Sequence, residues 1–146
     1  MRVAVSVPLY PPVSLVGAWV STHQCLAAVV AAGHTVDVVP YMRGQGDQQY
    51  GLDGVQVRPG LFFPEMADGA DLILSHLGDD QQASRLAKEM GIPSVRMVHG
   101  RPMNGHNLDD DLAVFNSHTL ARTVQWKGPQ IEIGRASCRE RVSSPV

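Results

Sequence analysis

Apolar and polar residues alternate in blocks along the chain, and the blocks change period. Arg2–Val7 is a β-favouring apolar run ended by Pro8, Pro11 and Pro12, which predicts a strand followed by a loop through Val16. From Gly17 to Ala32, residues such as Val20, Ala27 and Val30 recur at helical spacing, and Gly33 suits the position just past a helix end. Thr35–Val39 predicts a second strand. Gly44–Gly54 is rich in Gln, Gly and Asp and is expected to be a flexible loop. Val55–Arg58 then predicts a short third strand, and Leu61–Met66 a helical turn.

The second half repeats the pattern more clearly. Asp71–Ser75 (DLILS) predicts a buried strand, and Asp79 or Asp80 can cap a helix with Ala83, Leu86, Ala87 and Met90 on one face. Gly91 closes that helix, and Pro93 keeps it out of the next strand, Ser94–Val98. After a polar loop, Leu112–Asn116 predicts another strand. Ser117 caps a helix to about Trp126, and Gln130–Ile133 begins a further strand. Strands alternating with single helices need crossover connections. The expected fold class is therefore α/β: a Rossmann-like three-layer α/β/α arrangement with a mostly parallel sheet.

Composition narrows the partners. The 146 residues carry 12 Lys+Arg against 14 Asp+Glu, a formal charge of -2, so no broad basic footprint for nucleic acid exists. No charged residue lies between Arg2 and Asp37, yet prolines and Ser21-Thr22-His23-Gln24 interrupt the stretch. It is read as a core strand and helix, not a signal peptide or a transmembrane segment, since it lacks about 18 uninterrupted apolar residues. The expected location is cytoplasmic, with peripheral membrane contact left open. Two distant cysteines, Cys25 and Cys138, form neither a disulfide framework nor a zinc pattern.

The final stretch breaks the pattern. Ile133–Val142 (IGRASCRERV) has no apolar period, and it resembles one translated frame of a common short-read sequencing adapter, ATC GGA AGA GCG TCG TGT AGG GAA AGA GTG. Residues 133–146 are accordingly expected to be an artefactual tail, with 1–132 as the single authentic domain and the true gene product longer. The bland alternative is an ordinary basic tail.

Candidate chemistry lies where strands end. The first strand–helix connection leads to Gly17, and a glycine at a helix start lets backbone N–H groups approach an anion or a sugar hydroxyl. Neither the dinucleotide G-x-G-x-x-G nor the phosphate-loop G-x-x-x-x-G-K-[ST] is present. His99-Gly100 follows one strand and His76 ends another, so both imidazoles are expected at one crevice. The bland alternative is strand-end histidines bonded to backbone. His23 and His34 are read as packing and turn residues, and Asp109-Asp110-Asp111 as a solvated loop, not a metal site.

Taken in order, RVAVSV, LYPP, Gly17 before the first helix, AAGHTVDVV, ADLILSH, GIPSV, His99-Gly100 and LAVFNS resemble the N-terminal domain of a retaining GT-B glycosyltransferase of the family-4-like group. The resemblance runs from Met1 to about Ile131. It implies an enzyme whose N-terminal domain binds a hydroxyl acceptor, while a second domain, missing here, holds most of a nucleotide-sugar donor. It implies His99 as the catalytic histidine beside the donor sugar and Gly17, Gly100 and Ser117 as donor-binding residues. Tyr10, Trp19, His76, Arg101 and Asn116 are cleft or acceptor candidates by position. No cofactor and no metal are implied, and the fragment alone is expected to be inactive. One departure is visible: the family commonly has adjacent glycines where this chain has Val16-Gly17-Ala18-Trp19. The alternative is a complete small flavodoxin-like ligand-binding or regulatory domain without catalysis.

Overall fold

A computed structural model describes residues 1–76, 81–100, 110–124, 126 and 128–132. Within these residues eight strands form one sheet: β1 (Arg2–Val7), β2 (Thr35–Pro40), β3 (Tyr50–Leu52), β4 (Val55–Val57), β5 (Leu72–His76), β6 (Ser94–Val98), β7 (Leu112–Phe115) and β8 (Gln130–Glu132). Among the described residues, four α-helices connect them: α1 (Gly17–Ala31), α2 (Phe63–Ala67), α3 (Gln81–Met90) and α4 (His118–Thr123). The sheet order is β3-β4-β2-β1-β5-β6-β7-β8, and every pairing is parallel except β3 with β4. The chain is mixed α/β with a mostly parallel, Rossmann-like sheet.

That order fixes where a ligand can sit. The chain steps outward from β1 through β2 to β4, then returns to the far side of β1 with β5 and continues through β8. Right-handed crossovers in opposite directions put helices on opposite faces. Leu26 of α1 accordingly joins Val3, Val5, Val7, Val36 and Val38 on one face. Met66 of α2 and Ala83 and Ala87 of α3 join Ala4, Val39 and Ile73 on the other. The order reverses between β1 and β5, so their carboxyl ends diverge around a crevice. Flavodoxin-type sheets run 2-1-3-4-5, with a single parallel strand outside the first. Here β2 and β4 both lie outside β1, so the flavodoxin-like form of the alternative does not hold.

Local signals explain most boundaries. Gly33 adopts φ +94° behind α1, and Gly91 adopts φ +67° behind α3, where Ile92 N–H bonds back to the Ala87 carbonyl. The Ser117 hydroxyl accepts from Leu120 N–H at 3.1 Å and caps α4, which ends at Thr123 rather than near Trp126. The predicted caps Asp79 and Asp80 lie outside the described residues, as does the tail from 133.

Two expectations are corrected. The stretch Gly44–Gly54 is not a flexible loop: a 3-10 turn spans Arg43–Gln45, and β3 hairpins onto β4. Asp53 and Gly54 both have positive φ, +48° and +82°, as a two-residue hairpin turn requires. A Cβ on Gly54 would lie 2.6 Å from Val30 Cγ1, so the turn rests directly on α1.

Nor is Asp110 of the acidic run solvated, although Asp111 is exposed. The Asp110 carboxylate is fully buried, accepting from Arg96 Nε at 2.6 Å and from Ser84 Oγ at 2.8 Å. Asp111 accepts from Ser94 N–H at 2.8 Å. Burial of Arg96 on β6 demands a counter-charge, which the connection into β7 supplies. Asp109 lies outside the described residues.

Candidate functional site

The first turn of α1 opens on the crevice. Val16 precedes the helix with no side-chain cap, and no acidic residue occupies its first turn. Among the described residues, nothing lies within 4 Å of a Cβ built on Gly17, so their packing does not demand this glycine. Two residues on, Trp19 is buried, and its ring centre lies 4.5 Å from that of His76 at the carboxyl end of β5. His76 stacks in turn on His99, just past β6, at 4.7 Å and 16° between planes. One helix and two strand ends thus bring three rings together. The spacing of those elements had predicted both histidines at one crevice, and the structure brings them into contact.

Hydrogen bonds set the protonation of this stack. Thr22 Oγ1 donates to the Ala18 carbonyl at 2.9 Å and lies 3.3 Å from His99 Nε2. With its proton committed to the carbonyl, the hydroxyl accepts from His99 Nε2–H, which leaves the Nδ1 lone pair of a neutral imidazole as acceptor. Burial lowers the His99 pKa, favouring that neutral form. Asn116 Nδ2 donates to the His99 carbonyl at 3.3 Å and holds the segment's backbone.

His76 is the anomaly. It is fully buried, and among the described residues neither ring nitrogen has a hydrogen-bond partner. Its pKa is pushed down to about 3, first by burial, then by repulsion from His99 and Arg96. Its neighbour Ser75, facing the α3 side, also has an unpartnered buried hydroxyl. Buried polar atoms left unmatched cost free energy, so such groups in a native fold call for an explanation.

Other candidates fall elsewhere. Tyr10 is entirely buried in the α1-side core, and its hydroxyl donates to His23 Nδ1 at 2.7 Å, while His23 Nε2 donates to Asp53 at 2.8 Å. Burial is the main cause raising the Tyr10 pKa, with the Tyr50 and Asp53 charges adding to it. This Tyr10–His23–Asp53 chain ties the loop after β1 to α1 and the hairpin; it does not join the ring stack. Ser117 uses its hydroxyl to cap α4. Gly100 is half-buried, and no described residue lies within 4 Å of a Cβ placed on it. Arg101 lies outside the described residues.

Thr22 is the member of the site that sequence missed. Its signal was faint: a hydroxyl one helical turn after Ala18 on the Trp19 side of α1. Among the described residues, no group of three or more His, Cys, Asp or Glu side chains is placed to hold a metal ion. No helix among them is long and apolar enough to cross a membrane. Comparison of the chain with protein-family models, with curated proteins and with solved structures finds no match.

Proposed function

We propose that the chain is the acceptor-side, N-terminal domain of a retaining GT-B glycosyltransferase, working with a second domain that holds most of a nucleotide-sugar donor. The observation that carries this is the meeting of the α1 start, Trp19, His76 and His99 where the strand order reverses. Such a place is where open α/β sheets bind ligands. The uncapped α1 start offers N–H groups and the positive helix end to the donor's diphosphate, with no Gly17 side chain in the way.

His99 Nδ1 would accept a hydroxyl of the donor sugar and fix the anomeric carbon beside the acceptor. The C–O bond to the diphosphate breaks as a new C–O bond forms to the acceptor oxygen, whose proton leaves with the negative diphosphate. Positive charge builds on the sugar during that step. A protonated imidazole beside it would oppose the charge, and burial keeps both histidines neutral.

The test is sugar transfer by the enzyme carrying both domains. His99→Ala should lower turnover by about 100-fold or more without unfolding the protein. Unchanged turnover removes His99 from the site, and no transfer from any nucleotide sugar by the unsubstituted enzyme overturns the proposal.

A further inference from the structure

A second concavity opens at the same carboxyl edge but on the opposite face of the sheet. It lies between α2 and α3, above the ends of β1 and β2, and encloses about 740 Å³. That is within the roughly 300–1,000 Å³ of small-molecule sites. Its lining is zoned by depth. Val39, Pro40 and Ala83 are buried and Phe63, Pro64 and Leu86 half-buried, so the inner wall is almost wholly apolar. Ser6 is the polar exception there, and it already holds an interaction of its own. Gln82, Arg85 and Glu89 are exposed and stand at the mouth.

The polar groups of this wall are largely engaged. Tyr41, Gln82 and Arg85 each hold an interaction already, and no described lining residue leaves a buried side-chain polar atom unmatched. What the groove offers an occupant is therefore apolar surface with water at its mouth. A sugar or a free ion would bury polar groups there without partners, at a cost in free energy. An alkyl chain gains by leaving water, and a polar head attached to it stays wet.

Exposed side chains at the same edge show where such a chain comes from. Nine large hydrophobic residues are exposed among the described residues. Seven of them lie on the connections that leave the carboxyl ends of β1, β2 and β4, with Leu15 at 73% and Phe62 at 65%. The first of these connections, 8–16, carries no charge. Apolar exposure concentrated at one edge marks a contact surface. Spread over three separate loops around an apolar groove, it fits the surface of a bilayer.

We infer that the groove takes the alkyl tail of a membrane lipid, the head remaining at the mouth while Leu15, Met42 and Phe62 meet the bilayer surface. Its role as the acceptor site rests on the glycosyltransferase reading above; the binding itself does not. The acceptor class would then be a hydroxyl-bearing lipid.

The test is amide NMR of the chain titrated with octyl-, decyl- and dodecylphosphocholine below their micelle concentrations, with glycerophosphocholine as the head-only control. The alkyl compounds should shift amides in 39–41, 60–63 and 82–86, and each added pair of methylenes should tighten binding roughly tenfold or more. Phe62→Asp, which charges an exposed rim position and spares the core, should weaken binding at least tenfold. Leu15→Asp, outside the groove, should leave that affinity unchanged. The chain should also float with phosphatidylcholine vesicles, and either substitution should lower the floated fraction by about threefold or more. No shift in the groove, an equal response to glycerophosphocholine, affinity that ignores chain length, or binding unaltered by Phe62→Asp overturns the groove. Tail binding without flotation overturns the bilayer as its source. Tail binding by a two-domain enzyme that transfers nothing supports the groove and overturns the glycosyltransferase reading. Transfer without tail binding does the reverse.

Discussion

Two buried polar clusters sit on neighbouring strands, and they are built in opposite ways. On the α3 face, Arg96 and Asp110 pair with each other and with Ser84. Ser75 of β5 pairs in register with Arg96, and the next residue, His76, turns to the α1 face with both nitrogens unmatched. One cluster satisfies its groups with protein; the other keeps open valences where the sheet order reverses. Paired polar sets hold parts of a fold together, whereas buried groups kept unmatched are costly without some other use. The ring stack is therefore the better candidate for ligand chemistry.

The largest expected effect breaks the paired set. Asp110→Ala takes away the carboxylate that accepts from the buried Arg96 guanidinium and should destabilise the fold by about 3–5 kcal/mol in denaturant unfolding. A loss under 1 kcal/mol would mean that the Arg96–Asp110 pair does not hold this part of the fold together.

The open cluster should respond with the opposite sign. His76→Phe keeps a ring against Trp19 and His99 but removes two unmatched nitrogens, so stability should hold or rise by about 1–3 kcal/mol. The pH dependence sharpens this. The folded pKa of His76 lies below its unfolded value near 6.5, so its stability contribution is full above pH 6.5. It is lost as pH falls towards about 3, at up to about 1.4 kcal/mol per pH unit. His76→Phe should flatten that slope, leaving the smaller part due to His99. A slope unchanged by the substitution would show that other groups carry it. Ser75→Ala, the smallest change, should be neutral or stabilising by about 1 kcal/mol, checked in the same unfolding experiment.

Periodicity made the alternating elements legible, because a buried parallel strand and an amphipathic helix each carry their own spacing. The hairpin was missed although Asp53-Gly54 between Leu52 and Val55 is a two-residue turn signal; the surrounding Gln and Gly content masked it. Gln45 looked like loop filler but is buried, accepting from Tyr10 N–H at 2.8 Å and donating to the Tyr50 hydroxyl at 2.9 Å. The Arg96–Asp110 pair could not be read in advance, since composition does not say which acid of a run meets a buried base. The strand-end histidines were legible from topology alone. Their stacking, the Trp19 ring beside His76 and the tautomer set by Thr22 depend on how α1 packs across β5 and β6.

The central claim is that the Trp19–His76–His99 stack receives a ligand. Its direct measurement is the imidazole NMR of His76 and His99 during titration of the chain with nucleotide sugars such as UDP-glucose and GDP-mannose. His34, at the opposite edge of the sheet, serves as the internal control. The account predicts saturable shifts of both stacked rings, none at His34, and a weakened His76 response in His99→Ala. Stationary His76 and His99 signals across the series would contradict it.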